Sequence, residues 1–463
     1  MMFNPPSPPR YVDYRRHVEE LVAAGIAAAD ADLAVSRYLR KEGRILAIGR
    51  EADTERIDLD QGRVFLVASG KAAVPMARAA LRVLGDDLEA GIVITKDTGQ
   101  SGVESIENED EFAGRPVKII TAGHPVPDER GTIGTKAVVD MLSTARREDA
   151  VLCLISGGTS ALLTQPLMPL EDWRKLVELL IKSGCTINEF NVIRRSVDRI
   201  KGGGLARAAS PATCYGLILS DVVGNPLNVI GSGPTVPDDD LVVSAVQVLG
   251  RYDIARQLER EEWGRLALAL NQARYLHKTP RPSVRNFIVG DVRGAATASL
   301  VAAIRMGFVG QLLTTHLDGQ AREIGRLAAG IARDLPPGQC LIMGGETTVT
   351  VRGKGVGGRN QELALSAALA LERQPHVAVF SFSTDGEDGP TPAAGAVITG
   401  ETARLARSYG ISPMAYLTDN GSYTFFSRLD EASRGRVDPH LITTGPTGTN
   451  VNDLVIILSY GDS

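Results

Sequence analysis

Apolar residues in this chain fall largely into short unbroken runs set between stretches of helical periodicity. That alternation predicts buried parallel strands with helices on both faces, a doubly wound α/β architecture. Strands are expected at 63–68, 91–95, 117–121, 150–155 and 214–219, with helices at 72–84, 132–145, 173–183 and 188–208. Ahead of them, 11–38 reads as one or two helices with Leu21, Val22, Ile26 and Leu33 along one stripe. A helical, charged stretch at 241–276 leads to 277–284, which carries two prolines and no periodicity and marks a boundary. A second α/β pattern then starts at 286, with strands at 287–289, 311–314, 341–343, 347–351, 377–382 and 454–458 and a helix at 359–371. The expected organisation is a disordered arm at 1–10, an N-terminal domain at 11–280 and a C-terminal domain at 285–463.

Composition narrows the class. At 463 residues the chain exceeds one ordinary core, since domains run to about 150 residues. Aromatic content of 5% alongside 49 glycines favours an α/β enzyme rich in tight turns over a base-stacking nucleic-acid binder. With 50 basic and 55 acidic residues and no basic stripe, charge implies neither nucleic acid nor an anionic membrane as partner. Cys153, Cys185, Cys214 and Cys340 lack paired ligand spacing and read as small core residues. The proline-rich start lacks the apolar stretch of a signal peptide and no run reaches the length of a membrane span, so a cytoplasmic protein is expected.

Candidate chemistry concentrates at 344–389, where Gly344-Gly345-Glu346, Gly358-Arg359-Asn360-Gln361-Glu362 and Ser383-Thr384-Asp385-Gly386 follow strand ends. Open α/β sheets bind ligands at the carboxyl ends of their strands. The run Gly353-Lys354-Gly355-Val356-Gly357-Gly358 also matches the dinucleotide fingerprint, but the acidic residue expected about 20 positions on is missing from the right place. Lys71 stands at a strand-to-helix turn, where a cation is unfavourable unless an anion answers it. Ser156-Gly157-Gly158-Thr159-Ser160 offers hydroxyls and close backbone approach at a similar turn, and Lys201-Gly202 opens another glycine loop. Neither is a P-loop. Asp221, Glu346, Asp385 and Asp388 could hold magnesium or accept a hydroxyl proton, with turn stabilisation as the bland alternative; Asp385 is the best placed as general base. His124 has no second histidine at ligand spacing and reads as a loop residue. Asn450, Asn452 and Asp453 precede a buried strand as ligand contacts or caps.

Taken together, these segments, with Ala122-Gly123-His124-Pro125, Gly231-Ser232-Gly233-Pro234 and 445–453, resemble the class II glycerate kinases, whose C-terminal part is the leucine-rich MOFRL domain. The resemblance runs nearly end to end. It implies two domains, each a largely parallel Rossmann-like sheet with flanking helices, and an active site in the cleft between them. It also implies ATP-dependent phosphorylation of D-glycerate at the 2-hydroxyl, with Mg2+. Lys71 and Arg359 would be the principal catalytic residues with Asp385 beside them; Ser156 to Ser160, Lys201, Gly202 and Asn450 would bind the nucleotide, and Asp221 and Glu346 the metal. The partners would be a small sugar acid and a nucleotide, with the protein a monomer or homodimer. Thr159, Gly204, Asn225-Pro226 and Gly421 depart from the family pattern and leave a longer sugar acid open as substrate. Two other readings compete: a hydroxypyruvate reductase using NAD(P)H on the 353–358 loop, and a non-catalytic sensor of sugar acids or nucleotides.

Overall fold

The computed structural model describes residues 9–96, 112–238, 241–276 and 282–461. The expected arm at 1–10 and boundary at 277–284 therefore lie mostly outside the described residues. The fold is α/β. Its contacts divide the chain into two compact units, a central one of Ala31–Val289 and a terminal one joining Met1–Asp30 to Gly290–Ser463. Helix Tyr14–Ala29 thus packs in the terminal unit, where Ser299 Oγ donates to the Leu21 carbonyl at 2.9 Å and His17 Nδ1 lies 3.1 Å from Tyr460 Oη.

The central unit opens with an antiparallel meander of β1 (Leu39–Glu42), β2 (Ile45–Arg50) and β3 (Asp53–Asp58). Its outer strands are rich in charge and largely solvated, so they offered no apolar run. The main sheet comprises β4 (Val64–Ser69), β5 (Leu88–Lys96), β6 (Val117–Ala122), β7 (Ala150–Ile155), β8 (Thr213–Leu219) and β9 (Val284–Gly290), in the order β6-β5-β4-β7-β8-β9. Pairings from β6 through β8 are all parallel. Every residue of β4 and β7 is buried, which is why they read as unbroken apolar runs. β9 belongs to this sheet, so the second α/β pattern begins after it and not at 286. The helix expected at 188–208 is two, Ile187–Ser196 and Gly204–Ala209, because Gly202 and Gly203 take φ of 54° and 82° between them.

The terminal unit holds β10 (Val309–Leu317), β11 (Gln339–Gly345), β12 (Val377–Ser383), β13 (Gly395–Thr399), β14 (Leu441–Ile442) and β15 (Asp453–Ser459), ordered β10-β11-β15-β12-β13-β14. Only β10 and β11 pair in parallel; the other neighbours are antiparallel, so this sheet is mixed where a largely parallel one was expected. The C-terminal strand inserts antiparallel between β11 and β12, and β13 also runs antiparallel to both its neighbours. The strand expected at 347–351 is absent, and Thr348 makes an isolated bridge to Gln320. No helix among the described residues is long and apolar enough to cross a membrane.

Candidate active site

In the central unit the chain order runs outward in opposite directions from β4 and β7. Their carboxyl ends therefore form the switch point at which open α/β sheets bind ligands. There the Lys71 N–H donates to the Gly157 carbonyl at 2.8 Å, joining the turn after β4 to the turn after β7. Gly70, at φ 123°, allows this contact: a Cβ on it would lie 2.1 Å from Ser156 Oγ. The Lys71 ammonium is exposed and has no hydrogen bond or ion pair among the described residues. Beside it, His124 and Lys71 both pack against Gly158, at 3.1 Å and 3.3 Å from where a Cβ would stand. Burial, reinforced by the charges of Lys71 and Lys96, lowers the His124 pKa to about 4, so its ring is neutral at pH 7.

The hydroxyl cradle expected at 156–160 is largely engaged by the protein itself. Ser156 Oγ accepts from Ala72 N–H at 3.1 Å, Thr159 Oγ1 donates toward the carbonyls of Ser69 and Ser156 at 2.7 and 2.8 Å, and Ser160 Oγ lies 2.8 Å from Ser232 Oγ. Of the two glycines, Gly157 is buried and Gly158 partly exposed. The Asp221 carboxylate lies directly against Gly157, where a Cβ would meet it at 1.9 Å, so Asp221 joins the same switch point. Lys201 does not present a free cation. Its side chain is 1% exposed and its Nζ donates to Asp198 Oδ2 at 2.8 Å and to the Leu163 carbonyl at 3.1 Å. Gly202 N–H donates to the Ser232 carbonyl at 3.1 Å, so the Lys201-Gly202 pair buttresses the neighbouring loop.

In the terminal unit, β15 begins between two strand ends: Asp453 pairs with Gly345 on one side and Ser383 on the other. This register brings the scattered polar segments together. Arg359, first residue of helix Arg359–Ala370, donates Nε and Nη2 to Asp453 at 2.5 and 2.9 Å and Nη1 to Glu346 at 2.8 Å. Burial opposes the guanidinium charge, but the Asp453 hydrogen bonds outweigh it and hold the pKa above its ordinary value. Glu346, expected to bind metal, is thus an ion-pair partner of Arg359. Asp385 Oδ1 accepts from Ser383 Oγ at 2.7 Å and Glu387 N–H at 3.1 Å, an Asx-type turn that orients the carboxylate. Asn450 Oδ1 accepts from Asn452 N–H at 2.9 Å, so that side chain shapes its own loop. Among the described residues no three His, Cys, Asp or Glu converge as a metal site.

Asp388 is buried at the amino end of the Arg359–Ala370 helix, where it accepts the N–H groups of Asn360 and Gln361 at 3.1 and 2.8 Å. Gly358 has no side chain to cap that end, and Asp388 caps it from another loop. Burial raises its pKa to about 7 against the pull of the Gln361 hydrogen bond. A carboxyl raised in the folded state binds its proton more tightly there than in the unfolded chain. Its contribution is therefore full below the unfolded value near 4 and is lost as pH rises to about 7. Urea unfolding from pH 4.5 to 7.5 is expected to show a falling component of at most about 1.4 kcal/mol per pH unit that Asp388→Asn removes. An identical pH slope in the variant would refute this assignment.

The fingerprint-like loop at 353–358 has a packing explanation. The N–H groups of Arg352 and Gly353 donate to Asn420 Oδ1, and that of Gly355 donates to the Asp419 carbonyl at 2.8 Å. A Cβ on Gly355 would stand 2.5 Å from Gly421 Cα, so the glycines allow two backbones to meet and the departure at Gly421 suits that contact. The pairing of Asp453 with Arg359 and the placement of Asp198 and Arg194 go beyond what the local sequence pattern implies. The i,i+3 spacing of Asp198 and Lys201 was the available signal for the second; Asp453 needed the register of β15.

A family model described as a domain of unknown function, DUF4147, matches residues 17–266, and one described as the MOFRL family matches residues 339–453. The D-glycerate 2-kinase of Thermotoga maritima is 40% identical, covering 94% of this chain and 96% of its own. The glycerate 2-kinase of Pyrococcus horikoshii is 36% identical, covering 96% of this chain and 98% of its own. A crystal structure of glycerate kinase from Thermotoga maritima matches with a TM-score of 0.81 at 37% identity, over 97% of this chain and 100% of that one.

Proposed function

The chain belongs to the glycerate kinase family, and on that premise we propose that it is a glycerate 2-kinase, moving the γ-phosphoryl group of ATP onto the 2-hydroxyl of D-glycerate. The observation that carries the reading furthest is the exposed Lys71 ammonium, without a protein partner among the described residues, at the switch point of a parallel sheet. Phosphoryl transfer asks the protein for positioning and charge stabilisation more than for covalent chemistry. Lys71 meets the oxygens of the transferring group. Arg359, oriented by Asp453, offers its remaining N–H groups to that group or to the substrate carboxylate. Asp385 Oδ2, the oxygen not engaged by Ser383 or Glu387, receives the hydroxyl proton as the substrate oxygen bonds to phosphorus and the bond to ADP breaks.

Magnesium commonly takes one or two carboxylates along with phosphate oxygens and water, and the carboxylates available here suit that pattern. Asp221, which lies against Gly157 at the switch point, is a candidate ligand, as is Glu346 beside Arg359. When bound, the ion neutralises charge on the phosphate oxygens.

Purified protein given D-glycerate and MgATP is expected to form ADP and phosphoglycerate in equal amounts. Hydroxypyruvate with NADH or NADPH is expected to give no nucleotide oxidation, since the 353–358 loop is packed on Asp419 to Gly421. Reductase activity without phosphoester formation would overturn the reading.

A further inference from the structure

Next to Lys71 the central unit contains a cavity of about 500 Å3, a size suited to a drug-sized organic ligand and far more than a three-carbon acid needs. One wall is the Pro125-Val126-Pro127 loop and another the Trp173 and Val177 face of helix Leu170–Lys182; Arg174 Nη2 joins the two by donating to the Pro127 carbonyl at 3.2 Å. Gly158, which packs against the Lys71 side chain, lines the end nearest the switch point. Arg194 also lines the cavity. Its guanidinium lies over the Phe190 ring at 4.5 Å and makes no hydrogen bond or ion pair among the described residues. The acid nearest in sequence, Asp198, is engaged by Lys201, Thr164, Gln165 and Ile200. Burial lowers the Arg194 pKa to about 10 against the opposing pull of the Asp198 charge. A slot walled by Pro125, Val126, Trp173 and Val177, with the Arg194 guanidinium on its lining and the exposed Lys71 beyond Gly158, has the layout of a nucleotide site.

We propose that this cavity holds the nucleoside end of ATP, with the base between the Pro125 to Pro127 loop and the Trp173 and Val177 face, Arg194 on the phosphates nearest the ribose, and the terminal phosphate passing Gly158 to Lys71. The proposal rests on the kinase reading above and extends the nucleotide site expected at 156–160 and Lys201, since Gly158, Ser160 and Lys201 also line this cavity.

The chain has two tryptophans, so Trp263→Phe leaves Trp173 as the sole indole. Its fluorescence is expected to change saturably on titration with ADP and not with D-glycerate. Arg194→Met is expected to weaken ADP binding about 10- to 100-fold by calorimetry, the loss of a charged hydrogen bond, while the KM for D-glycerate stays within about twofold. Response of Trp173 to D-glycerate alone, or unchanged ADP affinity in Arg194→Met, would overturn the assignment while leaving a protein that phosphorylates glycerate a kinase. A protein that binds no ADP and forms no phosphoester would instead sink the kinase reading and this proposal together.

Discussion

Lys71→Ala is expected to lower kcat for D-glycerate phosphorylation by about 10²- to 10³-fold, the cost of removing one preorganised group that meets transition-state charge. The thermal midpoint should stay close to that of the unaltered protein. The Lys71 side chain is exposed and holds no hydrogen bond or ion pair among the described residues, and such surface changes are worth about 0.5 kcal/mol or less. Steady-state kinetics together with a melting curve check both halves. Near-normal kcat would remove Lys71 from the chemistry, and a large drop in the melting midpoint would show that the turn depends on it structurally.

Arg359→Ala should behave differently, because Arg359 answers a buried carboxylate. Asp453 is 3% exposed, and deleting its partner leaves a charge with no water to solvate it. Breaking such a pair costs about 3–5 kcal/mol, with the lower end expected here because Arg359 itself is about a quarter exposed. Activity should fall by about 10³-fold if the guanidinium also stabilises the transferring group. The double variant Arg359→Ala with Asp453→Asn separates the two effects. Stability should recover much of its loss because the orphaned charge is gone, while kcat should stay low. Recovery of kcat in the double variant would make Arg359 a structural residue only.

Legibility in the sequence followed how local each feature is. The strands at 64–69 and 150–155 were readable because both faces are buried and the apolar run is continuous. Lys71 was readable because a cation at a strand-to-helix turn lacks a local electrostatic reason. The β1 to β3 meander was missed because its outer strands are mostly solvated and charged. The 353–358 loop misled because glycines that allow packing on Asp419 to Gly421 have the same spacing as glycines that approach a pyrophosphate. Lys201 misled because burial beside Asp198 depends on a turn, and Asp453, readable as a ligand contact or cap, was not recognisable as the partner of Arg359 because its register depends on a strand inserting from far along the chain. The residues of the candidate site were legible as chemical types; which of them are already answered by the protein was a tertiary fact.

That distinction gives the pair Lys71 and Arg359 unlike characters, one an unanswered cation and the other a cation fixed by Asp453. Phosphorus NMR of the reaction of D-glycerate with MgATP tests the central claim most directly, because it reports both that a phosphate ester forms and which carbon carries it. The expected spectrum shows ADP and 2-phosphoglycerate growing together; a 3-phosphate ester, or ADP and inorganic phosphate with no ester, would contradict the account.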